Sequence, residues 1–207
     1  ADMWKPKDEV PAGFLVPVAY LWTRTVRCKN PTCGATVPLV KQTWLCKKKG
    51  RYVALRVVAP RGAKQVRFEV VEARVASALG FDPSLGSTGG NASCPFCGTV
   101  ADSKYIKVEG CAGRLDEQLM AVACTRKGTD GKVYLCADDV AASIPARTAV
   151  VDALEKAGQR GGLDVPSEPL PPRGTLGFRI QAYGLSTWGD LFSPRQSLSL
   201  LLLAMTL

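Results

Sequence analysis

Apolar and polar side chains alternate along much of the N-terminal part of the chain, and a period of two is typical of β-strands with one buried face. Residues 14–27 are rich in β-forming side chains, and from Ala19 onward the two sides of the predicted strand are Tyr20, Trp22 and Arg24 on one and Leu21, Thr23 and Thr25 on the other. Turn-forming glycine, proline and lysine residues separate this segment from three further predicted strands, at 37–45, 51–58 and 65–73. The pattern therefore predicts an antiparallel sheet.

The second half of the chain mixes strand and helix patterns. The predicted strands are 104–108, 118–126, 132–136 and 177–183. The segment 118–126 also fits a helix. A helix is predicted from an N-cap at Asp138 to about residue 158, split or kinked by Pro145. Residues 161–174 hold four prolines and three glycines, which favours a linker. Ser193-Pro-Arg-Gln196 is a capping box with proline at the first helical position, so a last helix begins there.

Two close cysteine pairs lie within the strand-rich part. Cys28 and Cys33 are separated by four residues, Cys94 and Cys97 by two, and a glycine follows each pair. Four thiolates on two such loops form the tetrahedral ligand set of a structural zinc site. The alternative is four free or buried thiols without a metal. We predict a zinc ion bound by these four cysteines.

The chain contains no histidine. Its absence excludes His-ligated zinc and the Ser-His and Cys-His nucleophiles, so the predicted zinc has a closed, structural role. Among the other cysteines, Cys124 and Cys136 are predicted to lie in the core, and Cys46 and Cys111 are either spare ligands or unrelated to the site. Eight cysteines without a secretory signal indicate a reducing compartment, and we predict a cytoplasmic protein.

These patterns together predict an α+β, β-rich protein. The expected parts are an irregular lead-in at 1–13, a zinc-ribbon-type antiparallel sheet with an enlarged insertion at 14–136, a helix at 137–160, the linker at 161–174 and a strand–helix segment at 175–207. The chain starts without Met and stops in a leucine-rich run, so we interpret it as part of a longer polypeptide. That run covers about ten residues, whereas a membrane span needs roughly 20, so no membrane is expected. Its exposure would favour oligomers, and in the longer polypeptide it would be buried.

The net charge of +9 is concentrated in one segment. No acidic residue lies between Glu9 and Glu69, and this window holds twelve Lys and Arg residues. Such asymmetry favours a polyanion partner, and DNA is the predicted one; a solvated basic face without a partner is the alternative. Trp44, beside the basic residues, either stacks on the nucleic acid or packs in the core. The predicted nucleic-acid contacts are Lys47, Lys48, Lys49, Arg51 and Arg56.

A second candidate site lies before the last helix. Trp188, Asp190 and Arg195 stand beside its N-terminus, where anionic groups bind well, although a plain connector is an equal alternative. The sequence has no Gly-rich phosphate loop and no Asp/Asn-Pro-Pro-Tyr motif. We therefore expect no catalysis from this chain by itself.

Several short motifs resemble those of one prokaryotic family. They are Ala19-Tyr-Leu-Trp22, Cys28-x-Asn-Pro-x-Cys33-Gly34, Trp44, Lys47-Lys-Lys-Gly-Arg51, Cys94-Pro-x-Cys97-Gly98, Gly113-Arg114 and Tyr183-Gly-x-x-x-Trp188-Gly-Asp-Leu-Phe-x-Pro-Arg-Gln196. Together they resemble the adenine-specific DNA methylases that contain a zinc ribbon. The resemblance covers about residues 19–204, and the block that ends at Gln196 is its most specific part.

The resemblance implies an internal segment of a methyltransferase. The family's Gly-rich S-adenosylmethionine motif would lie upstream of it and the catalytic Pro-Pro-Tyr motif downstream, so the cofactor belongs to the parent enzyme, which would methylate adenine N6 after base flipping. The resemblance also implies that Cys28, Cys33, Cys94 and Cys97 are the zinc ligands. Two alternatives stay open: a structural or protein-interaction insert that braces the methyltransferase or recruits a restriction partner, and an independent zinc adaptor.

Overall fold

The computed structural model describes residues 13–177 and 179–206, with the backbone alone at Leu176. Apart from Gly13, the predicted lead-in lies outside the described residues. Within them, more residues lie in strands than in helices and the paired strands are antiparallel, which confirms the α+β, β-rich class. The chain divides into two compact units: residues 1–106 with 115–141, and residues 107–114 with 142–207. The domain limits expected from the sequence differ in detail and stay predictions.

In the described part of the chain, nine strands form three sheets. They are β1 (Leu15–Arg27), β2 (Thr36–Pro38), β3 (Trp44–Lys48), β4 (Arg51–Val58), β5 (Arg67–Ala73), β6 (Ala92–Ser93), β7 (Val100–Ala101), β8 (Asp116–Arg126) and β9 (Val133–Cys136). The largest sheet has the order β2-β1-β8-β9, the second has the order β3-β4-β5, and β6 pairs with β7. The long pair β1–β8 runs from Leu15 opposite Arg126 to Thr25 opposite Asp116, with two shifts of register.

The hydrophobic core of the first unit joins the two larger sheets. Leu55 of β4 and Phe68 of β5 pack with Ala121 of β8, and all three are buried. Arg67 and Glu69 flank Phe68 in sequence and are exposed. This is the alternation expected of a strand with one face toward a core, so the predicted strand at 65–73 is confirmed.

The predicted strands at 37–45 and 104–108 are wrong. The segment 37–45 leaves the sheet after Pro38, which has no N–H to continue the ladder, and strand structure resumes only at Trp44. Residues 104–108 belong to a helix, α1 (Ser103–Cys111). The Asp102 carboxylate accepts a hydrogen bond from the Tyr105 N–H at 2.9 Å and so caps that helix.

Three further helices are described: α2 (Ala137–Val140), α3 (Arg147–Gly161) and α4 (Pro194–Ala204). The predicted break at Pro145 is confirmed, because it lies between α2 and α3, but the predicted Asp138 cap is wrong. The α2 N-cap is Cys136, whose N–H donates to Asp139 at 3.0 Å. The capping box of α4 is confirmed, with the Ser193 N–H donating to Gln196 Oε1 at 2.8 Å.

The second unit contains α3 and α4, which pack against each other. The predicted strand at 177–183 is wrong, because 3-10 turns occupy Thr175–Gly177 and Ile180–Tyr183, while residue 178 lies outside the described part. Gly177 and Gly184 both have positive φ, at 77° and 83°, which turns the backbone at each end of this segment. No helix in the described residues is long and apolar enough to cross a membrane.

Candidate metal centre

The first cysteine pair lies on a tight loop between β1 and β2. The Cys28 N–H donates to the Ala35 carbonyl at 2.7 Å and closes the loop. Inside it, the Asn30 carbonyl accepts from the N–H groups of Cys33 at 3.1 Å and Gly34 at 3.0 Å. Gly34 has φ of 58°, which side-chain-bearing residues rarely adopt. These bonds hold Cys28 and Cys33 on one side of the loop.

The second pair lies on the turn between β6 and β7. The Cys94 N–H donates to the Thr99 carbonyl at 2.9 Å, and the Gly98 N–H donates to the Cys94 carbonyl at 2.9 Å. Gly98 has φ of 74°, so the residue after each cysteine pair takes the left-handed conformation that the turn requires. The two loops therefore share one design despite their different lengths.

The two loops bring the four sulfur atoms together. Cys28 Sγ lies 3.6 Å from Cys97 Sγ, and Cys33 Sγ lies 3.8 Å from Cys94 Sγ. All four atoms lie within 4.8 Å of one another. Thiolates about 2.3 Å from a zinc ion at the centre of a tetrahedron are about 3.8 Å apart, whereas a disulfide needs about 2.05 Å. The cluster could hold a metal ion, and its spacing is consistent with zinc.

Burial divides the four thiols into different electrostatic environments. Burial raises the pKa of Cys28 to about 12 and also raises the pKa of Cys94. Cys97 is exposed, and hydrogen bonds from the Thr99 hydroxyl and backbone N–H lower its pKa to about 6. A metal ion must therefore displace protons mainly from the buried sulfurs, which makes binding weaker as the pH falls.

Contacts outside the sulfur cluster support the first loop, and sequence reasoning missed them. The Lys29 ammonium pairs with the Asp102 carboxylate at 2.6 Å, and the Tyr105 hydroxyl donates to the Arg27 carbonyl at 3.1 Å. The Lys29 ammonium holds the pKa of Asp102 down to about 2. Asp102 also caps α1, so one carboxylate serves both the helix and the loop. An N-cap search at Asp102 would have found the helix, but not its partner Lys29.

The remaining cysteines lie outside the cluster in the described structure. Cys124 is buried in β8, which confirms its predicted core position. Cys136 is half-buried and accepts a hydrogen bond from the Val70 N–H at 3.2 Å, so it lies at the edge of the core. Cys46 is half-buried in β3, and the exposed Cys111 thiol lies 3.5 Å from the Ala182 carbonyl.

The predicted nucleic-acid residues fall into two groups. Lys47, Lys48 and Lys49 are exposed at the tip of the β3–β4 hairpin, and none forms an ion pair within the described residues. The Arg51 guanidinium binds Glu72 through two hydrogen bonds, at 2.8 and 3.2 Å. The role of these residues in nucleic-acid binding stays a prediction. Of the four named here, the three lysines are the ones without a carboxylate partner in the described structure.

Arg56 and Trp44 lie on the same hairpin in more enclosed positions. Arg56 donates to the Leu79 carbonyl at 3.2 Å, and its guanidinium lies 5.2 Å from the centre of the Phe81 ring. Trp44 is half-buried, and its indole N–H donates to Ser84 Oγ at 3.2 Å. The Trp44 ring is therefore neither in the core nor fully in solvent.

The segment before α4 is organised by one carboxylate. Asp190 accepts from the Ser186 N–H at 2.8 Å, the Ser186 hydroxyl at 3.2 Å and the Thr187 N–H at 2.7 Å. Arg195 donates to the Pro145 carbonyl at 2.8 Å, and Trp188 is 40% exposed. These contacts suit a connector that fixes the start of a helix, and anion binding here stays a prediction.

The fold and the site define a mixed α+β protein with a four-cysteine cluster that could hold a metal ion. No protein-family model matches the chain, and it matches no curated protein and no solved structure.

Proposed function

We propose that this chain is a zinc-stabilised, DNA-contacting internal module of an adenine-specific DNA methyltransferase and carries no catalytic residue itself. The observation that carries the proposal is the four-cysteine cluster, two of whose members, Cys28 and Cys33, belong to a basic segment that has no acidic residue from residue 10 to residue 68. The zinc fixes the loops, and the basic surface meets the DNA backbone.

A structural role for the metal follows from its ligands. Four thiolates fill a tetrahedral site and leave no open position for water or substrate. Two of the four ligands, Cys28 and Cys94, are buried. The ion therefore stabilises the fold and does not activate a substrate.

DNA contact is assigned to the hairpin tip. Lys47, Lys48 and Lys49 are exposed and carry charge that no carboxylate of the described chain neutralises. Lysine contacts to phosphate position a protein on DNA without reading its sequence. Arg51 and Arg56 then support the hairpin, through Glu72 and the Leu79 carbonyl, more than they contact DNA.

The methyltransferase part of the proposal is supported by the motif resemblance alone. S-adenosylmethionine and the catalytic Pro-Pro-Tyr motif would belong to the rest of the parent polypeptide. Reading the flanking reading frame for a Gly-rich motif upstream and a Pro-Pro-Tyr motif downstream tests this. Their absence would leave an independent zinc adaptor.

The test of the module combines metal analysis with DNA binding. We expect about one zinc per chain by elemental analysis and salt-sensitive binding to a labelled DNA duplex, measured by fluorescence anisotropy. Replacing Lys47, Lys48 and Lys49 by Ala should weaken binding about tenfold or more at low salt. The matched control removes three exposed charges elsewhere, at Lys104, Lys156 and Arg160. Equal loss in both triple variants, or no binding at low salt, would refute the DNA contact.

A second candidate is a structural or protein-interaction insert. Its support is the exposed apolar surface of α4, where Leu200 is 49% and Leu203 is 60% exposed. Co-purification with the separately expressed remainder of the parent enzyme, lost in a Leu200→Ser and Leu203→Ser variant that still binds DNA, would favour this role.

A further inference from the structure

The three-stranded sheet has one face in the core and one face turned away from it. On β4, Leu55 belongs to the core cluster, and the alternation of a strand places Tyr52, Ala54 and Arg56 on the opposite face. The register sets Lys47 opposite Tyr52 and Trp44 opposite Ala54 on that same face. We call the group formed by Trp44, Lys47, Tyr52, Arg56 and Phe81 the Trp44 face.

Each cation of the Trp44 face lies on an aromatic ring. Lys47 Nζ is 4.5 Å from the centre of the Trp44 ring, and the Arg56 guanidinium is 5.2 Å from the centre of the Phe81 ring. Trp44 and Tyr52 meet edge to face, with ring centres 6.3 Å apart and planes at 62°. All three rings are half-buried, so each keeps some surface in contact with solvent.

The orientation of the indole is fixed by its surroundings. Its N–H donates to Ser84 Oγ at 3.2 Å, and the neighbouring Thr43 N–H donates to the Pro83 carbonyl at 2.8 Å. The loop that contains Ser84 therefore holds Trp44 in place from one side. Lys47, by contrast, makes no ion pair in the described structure, so its ammonium can leave the ring at little cost.

The charge around the face matches an anionic partner. Lys48 and Lys49 extend the positive charge of Lys47 to the hairpin tip. Of the carboxylates on β5, Glu72 is bound by Arg51, and Glu69 stands opposite Arg56. Side chains two residues apart on a strand are about 7 Å apart, so the face offers a row of flat rings and cations.

Flat rings next to positive charge are the features by which proteins bind single-stranded nucleic acid, because unpaired bases stack on aromatic side chains while the cations meet the phosphates. A paired duplex keeps its bases inside and offers no such stacking. We propose that the Trp44 face binds a single-stranded nucleic-acid segment, with an unpaired base stacked on the Trp44 ring in place of the Lys47 ammonium, which moves to a phosphate. The inference rests on the proposed nucleic-acid contact and adds that tight binding at the Trp44 face requires an unpaired base.

The test compares two oligomers that have the same phosphates but differ in bases. Zinc-loaded protein is titrated into a labelled fifteen-nucleotide oligothymidylate and into an abasic oligomer of the same length, at low salt. The oligothymidylate should bind about tenfold more tightly, since one stacked base contributes about a factor of ten. Trp44→Leu should remove this difference, and Trp44→Phe should keep most of it.

A tyrosine pair supplies the matched control. Tyr52→Leu should weaken oligothymidylate binding, whereas Tyr20→Leu, at a 50% exposed tyrosine on β1, should not. Lys47→Gln should lower the salt dependence by about 0.7 in the slope of log affinity against log salt, which corresponds to one phosphate. These two comparisons decide the matter if Trp44→Leu does not fold, as judged by its thermal melt.

Each contrary outcome has a distinct meaning. Equal binding of the abasic oligomer and the oligothymidylate overturns the stacking inference and leaves the DNA contact intact. Failure of both oligomers and of duplex to bind at low salt refutes the proposed function as well. A glutamate peptide of matched charge that binds as tightly as oligothymidylate overturns the inference in favour of an acidic protein partner.

Discussion

Two loop systems in this molecule are organised around anionic side chains by different means. The cysteine loops gather four sulfur atoms within 4.8 Å, and burial raises the pKa of two of them, Cys28 and Cys94, so these two resist ionisation unless a cation neutralises them. The segment before α4 gathers two N–H groups and one hydroxyl around the Asp190 carboxylate, which the chain itself stabilises. The first system could therefore be completed by a metal ion, whereas the carboxylate of the second has its partners within the chain.

The difference follows from the distance along the chain that each system spans. Cys28 and Cys97 are 69 residues apart, and Cys33 and Cys94 are 61 apart. Asp190 and Ser186 are four residues apart. Closing a long loop costs more chain entropy than closing a short one. A metal ion with four strong bonds would offset that cost, and a few hydrogen bonds suffice for the short turn.

Removal of the metal should have the largest effect. A strong chelator, or Cys28→Ser with Cys94→Ser, should unfold the first unit, because structural zinc contributes on the order of 10 kcal/mol to folding. Zinc content and near-UV circular dichroism measure the loss. Cys46→Ser and Cys111→Ser, at cysteines outside the cluster, are the controls and should keep the zinc. A metal-free sample with an unchanged cooperative melt would show that the cysteine loops, like the Asp190 segment, are stable without a metal ion.

A second comparison uses one glycine from each system. Gly184 has φ of 83°, and a Cβ there would lie against the Gly110 carbonyl, so Gly184→Ala should destabilise by about 3 kcal/mol. Gly98 has φ of 74° but open space around a Cβ, so Gly98→Ala should cost about 1 kcal/mol. Denaturant unfolding of zinc-loaded protein measures both. Equal losses of unfolding free energy would mean that the positive φ alone sets the cost at Gly184, and that its close approach to the Gly110 carbonyl contributes nothing.

The parts of the fold that were predicted correctly have local signals. The two cysteine loops and the α4 capping box depend on residues within a few positions of one another, such as Ser193 and Gln196. The strand 51–58 was found with its bounds because turn residues stand at both ends. In each case the sequence contains both partners of the interaction side by side.

The errors have one local and one non-local cause. The helix at 103–111 was taken for a strand although its cap, Asp102, lies directly before it and binds the Tyr105 N–H, so this signal was local and was overlooked. Arg51 and Arg56 were grouped with the lysines because their partners, Glu72 and the Leu79 carbonyl, become neighbours only when the sheet forms. Charge can be counted from a sequence, but whether a charge is already paired depends on tertiary structure.

Loss of the Asp190 carboxylate should have a moderate, local effect. Asp190→Ala removes the acceptor of three hydrogen bonds and should cost about 2 kcal/mol, since donors left unsatisfied lose that much. Asp190→Asn keeps one oxygen acceptor and should cost about half as much. Hydrogen exchange at Ser186 and Thr187 measures the local loosening. The zinc content should not change in either variant, and a drop in it would contradict the independence of the two systems.

The smallest expected effect is on the titration of Asp190. The N–H groups of Thr187 and Ser186 stabilise the carboxylate and lower its pKa, so its folded pKa lies below its unfolded value of about 3.9. This stabilisation is therefore complete at neutral pH and is lost as the pH falls through the folded pKa. Ser186→Ala removes only the hydroxyl and keeps both N–H donors, so it should raise the pKa slightly. A carboxyl-carbon NMR titration of both proteins measures the shift; a pKa of Asp190 at or above about 3.9 in the unaltered protein would mean that its hydrogen bonds do not favour the charged form.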